Sequence, residues 1–381
     1  MTLRIRRTWR TWRTVRLNFS AGLVALLAGC ANLGYYVQAV DGHLDIRDRT
    51  RSINAIIADP DANQALKGAL TAVVKLREFA SRELKLPDNQ SFTTYADLGR
   101  PYAVWNVSAT PELSMAPKKW CFVAIGCVSY RGFFSKNEAE RFAEALKSEG
   151  YDVTVGGVRA YSTLGWFKDP ILNTFLGYSE TELAQLIFHE LAHQVVYVRD
   201  DSTFNESFAT AVELEGIARW LAGNGTDEQR AAFDAAQKKQ AASTEIMLNH
   251  RKRLEELFAS DASIAEKRAA KARILAELRG KLSGLDAAKA GAGNTERWWA
   301  QRLNNAYLAS ISTYTHLVPA FQALLAQQKG DIAQFYQVVR KMSGLTEAER
   351  ASLLWSAEFG GETAANSVPQ ESSAVHQRGV K

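Results

Sequence analysis

Two histidines and a glutamate in the middle of the chain have the types and spacing of a metal centre. His189-Glu190-Leu191-Ala192-His193 is an HExxH motif. Residues four apart lie on one face of an α-helix, so both imidazoles could ligate one Zn²⁺ ion. Glu190 would then act as general base on a zinc-bound water and deliver the proton to the leaving amine. The motif predicts zinc-dependent peptide-bond hydrolysis. The alternative is a helix with three ordinary surface residues.

A zinc ion held by two histidines needs a third protein ligand, and the next predicted helix offers one. Glu206 follows His193 by thirteen positions, on a helix that can pack antiparallel against the first. This resembles the gluzincin arrangement, in which a glutamate completes a His2Glu ligand set. Thr203-x-x-Glu206 also fits a capping box, so Glu206 could instead cap its own helix. The competing ligands are Asp200, Asp201 and Glu213.

Further polar residues are candidates to orient a ligand or to stabilise the oxyanion of the reaction. Thr210 and Glu213 follow Glu206 on the same predicted helical face, and either could orient a ligand histidine through a hydrogen bond. For each of these residues the alternative is an ordinary buried or solvated polar side chain. The candidates for oxyanion stabilisation are Tyr161, Tyr314 and His316.

The elements that must position these residues are mostly helical. Ser179-x-x-Glu182 is a capping box that begins the helix of the motif, and this helix is expected to run to Tyr197. The next helix is expected from about Phe204 to Leu221. Strand candidates lie upstream at 102–108, 127–134 and 151–155. The sequence thus predicts an α+β fold that is mostly α-helical.

Beyond the motif, the chain is helical in pattern almost to its end. Residues 227–282 are rich in Ala, Lys, Arg, Glu and Gln, which is typical of a long helical hairpin. Helices resume after it, and Pro319 is expected to bend one of them. We expect one domain over 30–357 with a helical C-terminal extension, and a disordered tail over 358–381.

The first 29 residues are typical of an export signal. Six arginines and no acid precede Leu17, and the apolar stretch from Leu17 to Gly29 is shorter than the roughly 20 residues of a spanning helix. Leu27-Ala28-Gly29-Cys30 resembles the lipobox of bacterial lipoproteins, in which the cysteine is lipidated and becomes the first mature residue. We therefore expect a lipid-anchored envelope protein facing the periplasm, with Ala31 favouring the outer membrane. The alternative is an uncleaved anchor.

Two thiols remain if Cys30 is acylated. Cys121 and Cys127 are separated by a short loop, and an oxidising compartment allows them to form a disulfide. The alternative is a pair of buried free cysteines. A zinc site formed by these two cysteines alone is not expected, because the C-x2-C spacing of zinc ligands is absent.

The charge of the chain depends on the export signal. The full sequence has 46 Lys and Arg against 41 Asp and Glu, with a pI of about 9.0. Removing the six arginines of the signal leaves 40 basic residues against 41 acidic ones, a formal charge of −1. The basic pI is therefore a property of the precursor, and no nucleic-acid partner is expected.

Several segments of the chain resemble the predicted zinc aminopeptidases of bacteria, of the lipoprotein type. They are the HExxH motif, 120–134, 157–167, 205–210 and Asn304-Asn305-Ala306. The resemblance covers most of the mature chain. It implies a zincin-like metallopeptidase core facing the periplasm, with one zinc ion, a peptide substrate, and peptide-bond hydrolysis as the activity.

The sequence departs from the better-known gluzincin aminopeptidases in one respect. Removal of an N-terminal residue requires an acidic group for the free ammonium, and the Gly-x-Met-x-Asn signature with its glutamate is absent. Glu213, Glu215 or Asp169 could substitute. Endopeptidase activity by the same mechanism therefore stays open, and so does a non-catalytic envelope lipoprotein whose helical hairpin docks a partner.

Overall fold

Helices predominate in the structure, as the sequence pattern predicts. A computed structural model describes residues 34–359 except for 123–125, 161 and 291. The structure is α+β with 64% helix and small sheets, which confirms the expected fold class. The predicted signal at 1–29, Cys30, Tyr161 and residues 360–381 lie outside the described residues. Within the described part of the chain, no helix combines the length and apolarity needed to cross a membrane.

The described strands and helices have the following bounds. The strands are β1 (Thr50–Ser52), β2 (Thr94–Ala96), β3 (Val104–Pro111), β4 (Trp120–Phe122), β5 (Gly126–Val128), β6 (Arg131–Phe133), β7 (Tyr151–Val158) and β8 (Ile171–Leu172). The helices are α1 (34–48), α2 (Ile53–Ala58), α3 (Gln64–Arg82), α4 (Lys136–Ser148), α5 (Glu180–His193), α6 (Ser202–Asn224), α7 (Asp227–Ala259), α8 (Ile264–Ala290), α9 (Ala292–Arg302), α10 (Asn305–Thr315), α11 (Val318–Gln327), α12 (Ile332–Met342) and α13 (Glu347–Phe359).

The described strands form small separate sheets. In the first sheet, β2 lies between β1 and β8, antiparallel to β1 and parallel to β8. In the second, β3 lies between β6 and β7 and pairs antiparallel with β7 over its whole length. Ala139, Ala143 and Leu146 of α4 are buried against this sheet. The third sheet is the hairpin of β4 and β5.

Helices α5 and α6 lie in the largest hydrophobic core. The expected capping box is present, because the Ser179 hydroxyl and the Glu182 carboxylate each accept the other residue's backbone N–H. Leu183, Ile187 and Leu191 of α5 are buried. The two helices approach closely, since a Cβ atom added at Gly216 of α6 would lie 2.6 Å from the Phe188 ring. This packing fixes the HExxH segment of α5 within the core.

The long helical hairpin packs on the second sheet through buried polar contacts. Its helices α7 and α8 span the segment expected at 227–282, and α8 continues to Ala290. Lys271 of α8 donates to the Asp152 carboxylate at 2.7 Å and to the Glu112 carbonyl at 2.8 Å. The same Asp152 carboxylate accepts the backbone N–H of Asn305, at the start of α10. One acidic side chain of β7 therefore joins two helices to the sheet.

Three local expectations were wrong in detail. The strand expected at 127–134 is divided into β5 and β6, which belong to different sheets. Helix α5 ends at His193 rather than Tyr197, because the Gln194 N–H turns back to the carbonyls of Leu191 and Ala192. Pro319 does not bend a helix. It lies in the first turn of α11, where a missing N–H has no intrahelical partner to lose.

Candidate metal centre

The last turns of α5 bring the two motif histidines together. Their Nε2 atoms are 3.2 Å apart, as expected for residues four apart on one helix face. The His193 ring is buried and the His189 ring is largely so. Because α5 ends at His193, the imidazoles lie at the end of the helix, where α6 packs across them.

Glu206 of α6 points at both histidines. Its Oε2 atom lies 3.3 Å from Nε2 of His189 and 3.5 Å from Nε2 of His193. Helix α6 begins at Ser202, and Asp201 caps it by accepting the Phe204 N–H. Glu206 therefore lies beyond the position of a capping-box glutamate, and its carboxylate is directed to the histidines.

These three side chains meet the geometric requirements of a zinc site. Zinc–nitrogen and zinc–oxygen bonds of about 2.0–2.1 Å in a tetrahedron place ligand atoms about 3.3–3.4 Å apart. The three observed separations are 3.2, 3.3 and 3.5 Å. Two imidazoles and one carboxylate are also a donor set that zinc accepts. The residues present therefore fit one zinc ion.

Glu213 contacts the ring nitrogen of His189 that does not face Glu206. Its Oε2 atom lies 2.9 Å from Nδ1 of His189, on the side of the ring opposite Glu206. Its other oxygen accepts a short hydrogen bond from the side-chain amide of Gln185. The Glu213 side chain is only 8% exposed. A carboxylate on the second ring nitrogen fixes the tautomer and the orientation of a ligand histidine.

Asn205 holds the connection between the two helices. Its side-chain amide accepts the Val198 N–H and donates to the Val198 carbonyl, both at 2.7 Å. Asn205 is buried, so these bonds satisfy backbone groups that water cannot reach. The contact fixes the start of α6, one residue before Glu206.

A disulfide hairpin packs on this connection. Cys121 of β4 and Cys127 of β5 form a disulfide. The Cys127 N–H donates to the carboxylate of Asp200, in the connection between α5 and α6. Gly126 has a φ of +80°, and a Cβ atom there would collide with that carboxylate. Asp200, one of the competing metal ligands, is thus engaged by the hairpin.

The side chains of the three candidate ligands line a cavity of about 590 Å³. Glu190 lines the same cavity, next to His189. The Tyr314 ring stacks on His189 at 6.5 Å between centroids and with 24° between planes. Tyr130 and Tyr197 also face the cavity. The remaining lining is largely apolar and aromatic, including Tyr35, Phe122, Phe134, Leu164, Trp166 and Phe167.

Burial and charge oppose each other at the ionisable groups. Burial by itself would raise the pKa of Glu206, but the two histidines outweigh burial and hold this pKa at about 2. Burial raises the pKa of Glu190. The charge of Glu206, with burial, raises the pKa of Tyr314 well above its usual value. Burial also raises the pKa of Tyr130. Both tyrosines therefore keep a phenolic proton that they can donate.

The structure does not bring every sequence candidate to the site. Within the described residues, Thr210 makes no hydrogen bond to either histidine, and neither Thr210 nor His316 lines the cavity. His316 follows the last turn of α10. Tyr161, the other predicted oxyanion candidate, lies outside the described part of the chain.

The three acids considered for an N-terminal ammonium are engaged elsewhere. Glu213 contacts His189, and Glu215 pairs with Arg219 at 2.7 Å. Asp169 is buried and accepts hydrogen bonds from Ser162 and Thr163. Among the described residues that line the cavity, the carboxylates are those of Glu190 and Glu206.

The sequence analysis did not identify three residues that contact the site or line its cavity. They are Gln185, Asn205 and Tyr130. Gln185 lies four residues before His189, and that helical spacing was the available signal. Tyr130 and Asn205 are in segments that carry the family resemblance, but nothing local marks their roles. Their contacts join residues distant in sequence.

The fold and site are those of an α+β protein with a candidate His2Glu centre in a largely apolar cavity. The chain belongs to the family described as "Putative aminopeptidase", which matches residues 34–354. The match includes every candidate ligand and all the described residues that line the cavity. The family description supports peptide hydrolysis, with a peptide as substrate. No curated protein and no solved structure matches the chain.

Proposed function

We propose that this protein is a zinc-dependent peptidase with a zincin-like core, in which His189, His193 and Glu206 hold one zinc ion. The supporting observation is the convergence of these three side chains, at separations suited to zinc, beside Glu190 in a cavity. The family description supports the same reaction class. A bound zinc ion supplies Lewis acidity, which polarises a carbonyl and makes water more acidic.

In the proposed mechanism, Glu190 moves the protons. Its carboxylate takes a proton from the attacking water and passes it to the nitrogen of the leaving amine. Glu213 and Gln185 hold the His189 ring in one orientation. Tyr314, stacked on His189 and open to the cavity, donates its phenolic proton towards the developing charge on the substrate carbonyl oxygen.

The Glu190→Gln variant tests this mechanism. Glutamine keeps the shape of the side chain but cannot accept the proton, so we expect retained zinc and a loss of hydrolysis of about 10²–10⁴-fold. Glu180→Gln is the matched control, because Glu180 is exposed in the first turn of the same helix. Unchanged hydrolysis by Glu190→Gln would contradict the mechanism. Inertness of the wild type towards peptide libraries would instead favour a non-catalytic scaffold.

An endopeptidase is the second candidate, and the lining of the cavity favours it. Its described carboxylates are the proposed base and a proposed ligand, which leaves no further described acid there for a substrate ammonium. The test compares one peptide with a free and with an acetylated N-terminus. Equal rates support an endopeptidase, whereas loss of cleavage on acetylation supports an aminopeptidase.

We also propose that the protein is anchored to the bacterial envelope by a lipid on Cys30 and faces the periplasm, with the outer membrane as its site. The lipobox-like Leu27-Ala28-Gly29-Cys30 supports this anchor. The disulfide between Cys121 and Cys127 is consistent with an oxidising compartment. Labelling with a radioactive fatty acid should modify the wild type and not Cys30→Ala. Equal labelling of both would contradict the anchor.

A further inference from the structure

The first helix carries an apolar stripe that the rest of the described chain does not cover. Tyr36, Val37, Val40 and Leu44 of α1 are between 36% and 56% exposed. Their spacing places them on one face of the helix. The opposite face turns inward, where Tyr35 and Ala39 line the cavity of the candidate metal centre. An exposed apolar stripe of this kind marks an interaction surface.

A loop at the mouth of the cavity extends this stripe. Trp166 is 72% exposed and Phe167 is 59% exposed. The Phe167 ring lies 4.6 Å from the ring of His43 on α1. The buried carboxylate of Asp169 fixes the base of the loop by accepting the Thr163 N–H at 3.0 Å. We call α1 and residues 162–169 together the α1–loop surface.

The charges of this surface indicate how it would bind. Helix α1 carries Asp41, Asp45 and Asp48 against Arg47. Attraction to anionic headgroups would require excess positive charge, which this helix lacks. Aromatic and aliphatic side chains that enter an interface need no such attraction, and tryptophan and tyrosine favour the boundary between lipid and water.

The position of α1 in the chain indicates which partner would cover its exposed stripe. Residue 34, the first described residue of this helix, follows Cys30 by four positions. Four residues span at most about 13–14 Å when fully extended. If Cys30 carries the lipid, the start of α1 cannot leave the membrane surface by more than this distance. With that anchor, the bilayer is an apolar surface within reach of the exposed stripe of this helix.

We propose that the α1–loop surface inserts into the bilayer interface and seats the mouth of the cavity beside the lipid headgroups. The inference rests on the proposed anchor at Cys30 and goes beyond the proposed reaction. Trp166 and Phe167 of the loop also line the cavity, so insertion of this surface brings the mouth of the cavity to the level of the headgroups. The enzyme then meets peptide segments that lie at the membrane surface.

Spin labels on the lipidated full-length protein test the proposal. The protein is reconstituted in vesicles of phosphatidylethanolamine and phosphatidylglycerol, with single labels at Val37→Cys or Val40→Cys. The native thiols do not interfere, because Cys121 and Cys127 are bonded to each other and Cys30 carries the proposed lipid. The control sites are Ile264→Cys and Leu353→Cys, which are 61% and 48% exposed in the wild type and lie in α8 and α13.

We expect the α1 labels to lie about 5–10 Å inside the headgroup boundary, as for interfacial helices. Oxygen should then reach them far better than a water-soluble nickel complex, and the control labels should show the reverse. Labels on α1 that match the controls would overturn the proposal. Labels inaccessible to both reagents would also overturn it, because the chain itself would then cover the stripe.

Experiments on the same vesicles distinguish failure of this proposal from failure of the proposed anchor or of the proposed reaction. Wild type that does not float with the vesicles would overturn both the anchor and the surface, whereas flotation with aqueous α1 labels would overturn the surface alone. Hydrolysis in these vesicles, compared between wild type and Glu190→Gln, reports on the proposed reaction independently.

Discussion

Replacing Glu213 by glutamine should weaken zinc binding without touching a proposed ligand. The two Glu213 oxygens contact Nδ1 of His189 at 2.9 Å and the amide of Gln185. Glutamine lacks the negative charge, so the contact with His189 becomes an uncharged and weaker hydrogen bond. A hydrogen bond to a charged group contributes about 1.5–3 kcal/mol. Because about 1.4 kcal/mol is tenfold, zinc affinity should fall about ten- to a hundredfold.

The assay measures the zinc dissociation constant by competition with a chromophoric chelator, together with kcat/KM at saturating zinc. Glu215→Gln is the matched control, two residues further along α6. Glu215 pairs with Arg219, and both side chains are 32% exposed, so its loss should cost less than about 1 kcal/mol. Wild-type zinc affinity in a folded Glu213→Gln variant would refute the reasoning. Equal weakening in both variants would refute it too.

Three further changes test the supports of the site. Asn205→Ala removes both bonds to Val198 and should lower the free energy of unfolding by about 2–4 kcal/mol, measured in urea. Arg350→Met removes the cation that pairs with the largely buried Asp201 carboxylate at 2.6 Å, and should cost about 3–5 kcal/mol in the same assay. Tyr314→Phe should lower kcat about 10²–10³-fold, measured by peptide hydrolysis, while zinc stays bound.

Each of these changes has a control elsewhere in the chain. Asn224→Ala removes a side-chain bond at the exposed end of α6 and should change stability little. Arg253→Met breaks an exposed pair with Glu277 and should cost less than about 1 kcal/mol. Tyr178→Phe alters a tyrosine that does not line the cavity, so kcat should equal that of the wild type. A variant that behaves like its control would contradict the corresponding prediction.

The sequence by itself determined the local features. The HExxH spacing places two imidazoles on one face of a helix because helical periodicity is a local property. The Ser179–Glu182 capping box needs only neighbouring residues, and it begins α5 where the sequence predicts. The composition of 227–282 predicted a helical hairpin, which α7 and α8 form. The expected lipid anchor stays a prediction, since Cys30 lies outside the described residues.

Only the tertiary structure decided which candidate residue contacts a ligand histidine, because their sequence spacing fitted that role equally well. Thr210 and Glu213 both follow Glu206 at helical intervals, but the rotation of α6 about its axis brings the Glu213 carboxylate to His189. That rotation depends on the packing of α6 against α5 and on the bonds of Asn205 to Val198. The cavity likewise joins α1, the disulfide hairpin and α10. These contacts link residues far apart in sequence, and no local pattern along the chain specifies which elements meet.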